Sequence, residues 1–429
     1  MNRFDGRVSI AGRTVPRLHC DRGATWAVLA VVWAVASAAL AQPLPEKTWV
    51  AKAPTGLLLE RSLVNLPVPE KPYDLQWQTL DDLVRLQLLG IQTQMFSPPR
   101  TARALALLSV SINDTLVLMP KGLEPNVAVG AAAQEVMLYL HPTLPNFKDG
   151  VRQNLEAFIE KARADGVPPR TVEASRLFGR NVGQQIMNWG RADGSGRQVI
   201  PTYPKAAPGV WVLPLGRPAA EPGWGNVRPI GVSLEQLAKS DPPPAWDSPA
   251  YESERQRFWA EQAKLDQAGK DIAEKWAGDP GTVTPAGLWQ EIAFRFIREQ
   301  QYTPEQAIAV LAPLNVAMHN SFIACWRDKF DYYTLRPDQW VRTFEKKWRP
   351  YLRTPRFPAY PSGHATVSGT AAAVLSAFFP AQTSFFQAEA KEASYSRIIA
   401  GIHWFVDGSG GLELGRRVAE QVLALDRGR

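Results

Sequence analysis

The stretch Val310–Cys325, VLAPLNVAMHNSFIAC, aligns without gaps on an earlier stretch, Ala104–Met119, which reads ALALLSVSINDTLVLM. A second pair follows in the same order, because residues 179–186 and 415–422 share the pattern Gly-Arg-x-Val-x2-Gln followed by Ile or Val. The offsets of 206 and 236 residues differ only by insertions. This repetition favours two related helical bundles packed as a pseudo-pair, and the alternative is chance similarity between amphipathic helices.

Apolar residues recur at three- and four-residue steps through most of the chain, which is the spacing of an amphipathic helix. No stretch of the sequence shows strand alternation, so the predicted fold class is all-α: a large helical bundle built from two related four-helix-bundle-like halves. The predicted helices are Leu83–Leu89, Ala102–Leu118, Ala131–Leu140, Val151–Ala164, Val172–Asn188, Glu252–Trp276, Trp289–Glu299, Pro304–Leu335, His364–Phe379, Phe385–Ile402 and Gly411–Leu425.

The segment 194–250 interrupts this pattern with closely spaced Pro and Gly, which exclude long helices. Trp211, Trp224 and Trp246 nevertheless lie in it. Because disordered linkers rarely hold several tryptophans, we expect an ordered loop packed on the body. The predicted organisation is a leader at 1–41, an extended N-terminal segment at 42–85, a first helical half at 86–193, this loop, and a second helical half at 251–429.

Residues 1–41 have the pattern of an export signal. Arginines precede the apolar run Thr25–Ala41, and Ala39-Leu40-Ala41 is a small-x-small cleavage site. The sequence therefore predicts a periplasmic or secreted protein with a cleaved signal peptide. The alternative is an uncleaved inner-membrane anchor, because the run approaches the length that spans a bilayer. No later segment reads as long and apolar enough to cross a membrane, so we expect no membrane contact for the mature body.

The charge balance excludes one class of partner. The formal net charge is +7, of which the leader contributes +3. The remaining +4 is mild for a chain of 429 residues, and no run of Lys and Arg indicates a nucleic-acid surface. We therefore expect no nucleic-acid binding.

The first of three runs with chemical meaning is Lys329-x6-Arg336-Pro337. Lys329 and Arg336 are seven residues apart, which is two helical turns, so both are predicted to project from one face with Trp326. Pro337 ends the helix and places Arg336 at its end. For this run alone, the alternative is a pair of solvated charges on an amphipathic helix.

The second run, Pro361-Ser362-Gly363-His364, precedes an alanine-rich helix. Ser362 fits the N-cap, so the first turn offers free N–H groups and a positive dipole end to an anion. Gly363 lets the backbone approach a ligand closely, and His364 stands beside it, placed to give or take a proton. The alternative is a plain capped helix start.

The third run is Ser396-Arg397-x5-His403-x3-Asp407. His403 and Asp407 are four residues apart, so on a helix the aspartate can hold one ring nitrogen and leave the other for a ligand. Arg397 lies about 120° from His403 on a regular helix, so the helix must bend or begin between them, and Gly401 is a plausible place. The alternative is a core histidine with a capping aspartate.

Together the runs gather three fixed cations, two histidines, a hydroxyl and a helix-start glycine, which suits a small tetrahedral oxyanion. In order and spacing they resemble the superfamily that unites type-2 phosphatidic acid phosphatases, bacterial acid phosphatases and vanadium-dependent haloperoxidases. Three stretches are more similar to the haloperoxidases: Trp326-x2-Lys329, Phe357-Pro-Ala-Tyr-Pro361-Ser-Gly-His364-Ala-Thr366 and Ser396-Arg397-Ile398-x4-His403-Trp404. The resemblance is strong over 305–425 and weaker over 95–200.

This resemblance implies a haloperoxidase that holds vanadate and oxidises halide with hydrogen peroxide, giving a hypohalous species for a small organic acceptor. It implies that the vanadate oxygens are bound by Lys329, Arg336, Ser362, Gly363 and Arg397. It implies three catalytic residues, His364 as acid–base, His403 as the vanadium ligand and Asp407 as its orienting partner.

Two aromatic residues, Phe357 and Trp326, are the implied neighbours of the halide site. Phe357 matches the aromatic residue of chloride-oxidising fungal relatives, where algal bromide enzymes carry a histidine. Only the second half of the chain holds these residues, so the first half is expected to be non-catalytic.

Two alternatives use the same residues. In a periplasmic acid phosphatase, His403 would attack the phosphorus of a phosphate ester to form a phosphohistidine, and His364 would protonate the leaving oxygen. Phosphate would then compete with vanadate for one site. The second alternative is a non-catalytic oxyanion-binding protein.

Overall fold

The computed structural model describes residues 48–427 except 56, 65, 67 and 68. These residues form fourteen α-helices and no β-strand, which confirms the predicted all-α class. In chain order the helices are α1 Leu57–Leu63, α2 Trp77–Thr93, α3 Pro98–Leu118, α4 Pro125–Leu140, α5 Pro145–Ala164, α6 Pro169–Arg191, α7 Pro249–Gln262, α8 Gln267–Lys275, α9 Thr284–Glu299, α10 Pro304–Tyr332, α11 Pro337–Val341, α12 Gly363–Phe378, α13 Thr383–Ile399 and α14 Phe405–Arg427.

The two copies of the repeated stretch lie in α3 and α10, which pack against each other. The side-chain amide of Asn315 in α10 donates a hydrogen bond of 2.7 Å to the hydroxyl of Ser109 in α3. Ser109 and Asn315 occupy the same position of the repeat. Contact between equivalent positions is what a two-fold relation between two halves produces, so the geometry supports the predicted pseudo-pair.

Each half also contains the same tight helix pair, a 16-residue helix against a 23-residue helix: α4 on α6, and α12 on α14. A Cβ on Gly179 would lie 1.8 Å from the backbone oxygen of Ala128, and a Cβ on Gly415 would lie 2.1 Å from that of Thr366. Both glycines therefore let two helix backbones touch. They are the aligned glycines of the second repeated pattern.

The helix that carries Lys329 ends earlier than predicted. α10 stops at Tyr332, because Tyr333 adopts a left-handed conformation with a φ of 49°. Arg336 follows in an extended conformation as the N-cap of the short helix α11. The prediction that Lys329 and Arg336 lie two turns apart on one helical face is therefore wrong.

Other boundaries also differ from the predictions. The predicted helix 252–276 is two helices, because the Asp266 side chain accepts the N–H of Gly269 at 2.8 Å and starts α8. α13 ends at Ile399 and α14 begins at Phe405, so the last helix starts six residues before the predicted Gly411. The predicted extended segment 42–85 contains α1 and the first turns of α2.

Residues 194–248, all of them described by the structure, form no α-helix and pack on the body as predicted. The side chains of Trp211 and Trp224 are each only 2% exposed. The N–H of Trp211 donates to the carbonyl of Tyr333 at 2.7 Å, which ties the loop to the end of α10. The loop thereby contributes Arg217, Ala220 and Glu221 to the wall of a deep cavity.

Two helices in the described part of the chain, Pro98–Leu118 and Pro304–Tyr332, are long and apolar enough to cross a bilayer. The prediction that no segment after the leader has this character is therefore wrong. The protein itself buries 83% and 100% of their apolar stretches, which is the environment of core helices in a bundle. The predicted signal peptide at 1–41 lies outside the described residues.

Candidate active site

A cavity of about 420 Å³ opens where the second half meets the loop and the start of α3. His364 and His403 both line it, together with Gly363 and the aromatic side chains of Trp326 and Phe357. Lys329, Arg336, Ser362, Arg397 and Asp407 are buried around them. The three runs that are far apart in sequence therefore meet at one place.

Lys329 is fully buried, and a segment of carbonyl groups holds its ammonium group. Its Nζ donates to the carbonyl oxygens of Pro358 at 3.0 Å and Ala359 at 2.8 Å, and also to that of Pro361. The aromatic ring of Phe357 lies 5.0 Å from the same nitrogen. This segment leads directly into the start of α12, so Lys329 fixes the position of the helix N-terminus.

Arg336 reaches the site from the extended residue before α11. Its Nε donates to the carbonyl of Phe357 at 2.9 Å, and its Nη1 donates to that of Ile402 at 2.7 Å. Its Nη2 is buried and has no hydrogen-bond partner among the described residues. Lys329 and Arg336 are thus brought together by the backbone around Phe357 rather than by helical spacing.

Arg397 lies near the end of α13 and is 2% exposed. Its Nε donates to the hydroxyl of Ser396 at 2.9 Å, and its Nη2 donates to the carbonyl of Ala273. The helix ends two residues later, and Gly401 follows with a φ of +84°. That left-handed turn, at the position where the spacing required a break, redirects the chain so that His403 also reaches the site.

His403 is oriented by partners at both ring nitrogens. Its Nδ1 lies 2.9 Å from Oδ2 of Asp407, and its Nε2 lies 2.9 Å from Nη1 of Arg336. Because a guanidinium group only donates, Nε2 must accept, and the proton resides on Nδ1 and faces the carboxylate. His403 precedes α14 and Asp407 lies in its first turn, so the prediction that both stand on one helix is wrong although the contact forms.

α12 begins at Gly363, the helix start at which the sequence predicts an anion site. Ser362 is the N-cap, and its hydroxyl accepts the N–H of Ala365 at 3.4 Å. The N–H of Ser362 donates to the carbonyl of Asp407 at 2.9 Å, which ties this helix start to α14. His364 is half-buried on the cavity wall, with Nε2 3.2 Å from the carbonyl of Ala277.

Comparisons with known proteins identify the fold. Residues 309–389 match the family model of the VCPO second helical-bundle domain, a stretch that contains Lys329, Arg336 and 362–364 but ends before Arg397. The crystal structure of a bacterial vanadium-dependent iodoperoxidase is similar, with a TM-score of 0.71 and 24% identity over 83% of this chain and 98% of that one. The chain has the vanadium-haloperoxidase fold.

Two structures of bacterial vanadium-dependent chloroperoxidase share this vanadium-haloperoxidase fold at 13% identity. The holo form has a TM-score of 0.57 and covers 88% of this chain and 98% of its own. The apo form has a TM-score of 0.58 and covers 81% of this chain and 95% of its own. No curated protein matches the chain.

The site buries three basic side chains, and burial shifts the pKa of each. Burial lowers the pKa of Lys329 to about 7, of Arg336 to about 10 and of Arg397 to about 9. Burial likewise raises the pKa of Asp407, the one carboxylate in contact with His403. Three buried basic side chains would be stabilised by a bound polyanion. The unpartnered Nη2 of Arg336 is a donor for it, so this vanadium-haloperoxidase fold holds a donor set that fits vanadate.

Sulfate binding should weaken as the pH rises through about 7. Burial lowers the pKa of Lys329 to about 7, so the amine is neutral above this pH. To attract an anion it must then take up a proton from solution as the anion binds. Asp407, with its raised pKa, loses its proton on the same rise and adds a repelling charge. Linkage then gives up to about tenfold weaker binding per pH unit for each proton taken up.

Titration calorimetry with sulfate, whose own charge is constant between about pH 6 and 9, measures this dependence. Lys329→Met should make the profile less steep, leaving the contribution of Asp407, and Lys391→Met, a change of an exposed residue on α13 outside the cavity, should leave the profile as in the wild type. A wild-type sulfate affinity independent of pH would contradict the lowered pKa of Lys329 and its role in binding the anion.

The sequence does not predict a large part of the cavity wall. Residues 95–99, 217–221 and 277–280 contribute to it from three separate places in the chain. They lie in turns or at helix starts, where the sequence has no helical periodicity that would indicate which side chains face the cavity. Only tertiary packing brings them together, so no local signal could have placed them beside His364.

Proposed function

We propose that this protein is a vanadium-dependent haloperoxidase that oxidises halide with hydrogen peroxide. The observation that carries the proposal is the buried excess of positive charge around an unprotonated ring nitrogen, Nε2 of His403. The fold shared with bacterial iodo- and chloroperoxidases and the family-model match over 309–389 support it.

The residues proposed to hold vanadate divide by their chemistry. Lys329, Arg336 and Arg397 would neutralise its oxygens, and the Gly363 N–H and Ser362 hydroxyl would add uncharged donors. Nε2 of His403 would bond the vanadium. When bound, vanadate supplies the Lewis-acid centre at which hydrogen peroxide is activated for oxidation of halide.

His364 is proposed to move protons for peroxide. A carbonyl oxygen only accepts, so the contact with Ala277 places the proton on Nε2 and leaves Nδ1 free as a base. Burial and then the nearby Arg397 hold the pKa of His364 well below its usual range, so the ring is neutral at physiological pH. A neutral imidazole beside the anion site can take a proton from peroxide and return it to the product.

A phosphatase is the second candidate, and the pair formed by His403 and Asp407 favours it. The Nδ1–H donated to Asp407 leaves Nε2 unprotonated, so its lone pair could attack phosphorus once it gives up the hydrogen bond that it accepts from Arg336. The same three cations would stabilise the five-coordinate transition state. The third candidate is a non-catalytic oxyanion-binding protein, which would bind vanadate without catalysing either reaction.

Paired assays on one preparation separate these functions. We expect purified protein incubated with orthovanadate, hydrogen peroxide and iodide or bromide to halogenate a dye, with activity lost when vanadate is omitted. The same protein without vanadate should release little phosphate from a chromogenic ester. Robust phosphate release with no halogenation would favour the phosphatase, and retained vanadate affinity with neither activity would favour the binding protein.

A further inference from the structure

A second cavity of about 850 Å³ adjoins the catalytic cavity. The two share the wall formed by Arg217 and residues 353–356, so they lie on either side of these side chains. We call the second cavity the arginine groove, because Arg217, Arg342, Arg349, Arg353 and Arg356 line it. Its volume lies in the range of small-molecule sites.

The arginine groove carries a large excess of positive charge. Asp338 is the one acidic residue among its lining side chains, and it pairs with Arg342 at 3.5 Å. Arg349 and Arg356 donate to backbone carbonyls and remain charged. No carboxylate in the lining therefore neutralises the remaining four guanidinium groups.

Two of these arginines are free to meet a ligand. Arg217 and Arg353 are exposed and form no hydrogen bond or ion pair with any described residue. Both lie in the wall shared with the catalytic cavity. A guanidinium group presents a planar pair of donors that matches a carboxylate or similar anion. The shared wall, where these two arginines lie, is therefore suited to an anionic group.

The groove also has an apolar side. Trp211 is almost fully buried beneath it, and Leu213, Pro350 and Leu352 add half-buried apolar surface. An anion alone would not use this surface. Two free arginines at the shared wall and an apolar side of the groove together fit an amphipathic small molecule with an aromatic body and an acidic group.

We propose that the arginine groove binds the organic acceptor of the halogenation reaction, and that this acceptor is an aromatic carboxylate or a similar organic anion. The proposal rests on the proposed function, which supplies the hypohalous acid. In the transfer, a ring C–H bond breaks and a carbon–halogen bond forms: the ring and HOX give the halogenated ring and water. The groove would place the ring against the wall that it shares with the catalytic cavity, one layer of side chains from where the oxidant forms.

Equilibrium binding to the full-length protein, without vanadate or peroxide, tests the groove independently of activity. The probes are 4-hydroxyphenylacetate and its methyl ester, which differ in one charge. We expect the acid to bind about tenfold more tightly than the ester at low ionic strength, and salt to reduce the difference. The double variant Arg217→Gln and Arg353→Gln should bind both probes equally weakly.

Arg197→Gln is the matched control, because Arg197 is an exposed arginine of the same loop that lines neither cavity. It should leave the preference for the acid intact. Equal binding of acid and ester by wild-type protein would overturn the proposal, as would a preference that survives in the double variant.

Halogenation kinetics distinguish failure of the groove from failure of the proposed function. At saturating halide, the acid should have a lower KM than the ester in the wild type but not in the double variant. Halogenation with equal KM values would refute the groove while the haloperoxidase function stands. Selective binding of the acid without any halogenation would refute the function and, with it, the acceptor role of the groove.

Discussion

Replacing His403 with alanine is expected to lower the affinity for vanadate by more than about 100-fold. Nε2 of His403 is the unprotonated ring nitrogen at the cavity, where it accepts a hydrogen bond from Nη1 of Arg336, and no other side chain replaces the bond that it would form to vanadium. The buried cations Lys329, Arg336 and Arg397 remain, so affinity for sulfate, which needs charge but no coordinate bond, should fall less than about tenfold. Equilibrium dialysis with each anion measures the two effects separately.

His364→Ala is the matched comparison, since it removes a second imidazole from the same cavity wall. Its ring is held by the backbone of Ala277 and Trp276 and not by the buried cations, so vanadate affinity should stay within about tenfold of wild type while halogenation is lost. Two results would contradict these roles: unchanged vanadate affinity in His403→Ala, or unchanged turnover in His364→Ala.

The second large effect is expected from Gly415→Ala in α14. The added Cβ would lie 2.1 Å from the backbone oxygen of Thr366 and 2.7 Å from the nitrogen of Thr370, so α12 and α14 must separate. Neither backbone atom can rotate away, and we expect a loss of more than about 3 kcal/mol in the free energy of unfolding. The bond between Ser362 and Asp407 crosses this interface, so sulfate affinity should fall as well.

Gly150→Ala provides the control for this prediction. Gly150 lies in α5 with nothing within 4 Å of the Cβ position, so alanine should stabilise the protein by about 0.5–1 kcal/mol. Gly179→Ala, the equivalent change in the first half, should destabilise the protein without a direct effect on the anion site. Urea unfolding followed by circular dichroism measures all three; a Gly415→Ala protein as stable as wild type would contradict the close helix contact.

The sequence predicts the architecture well where the signal is helical and repeated. The alignment predicts the two related halves, and the structure adds that the paired residues Ser109 and Asn315 touch and that the aligned glycines 179 and 415 lie in two tight helix pairs. Helix ends are less predictable. Tyr333 ends α10 in a left-handed conformation, which is not predictable from a tyrosine at this position. As a result, Arg336 lies outside the helix.

For the site, the sequence identifies the residues but not the means that hold them. Lys329 and Arg336 converge because carbonyl groups of 357–361 bind both, whereas helical spacing predicts a shared face. Every residue has a backbone carbonyl, so the sequence does not show which carbonyls will bind Lys329 and Arg336. The Gly401 break is the exception, since the angle between Arg397 and His403 requires it and the chain turns there.

A crystal structure of the protein grown with orthovanadate tests the central claim most directly. We predict a single vanadium centre bonded to Nε2 of His403, with its oxygens facing Lys329, Arg336 and Arg397. Vanadate bound elsewhere, or a cavity without vanadium at a saturating concentration, would contradict the assignment of these buried cations to an oxyanion.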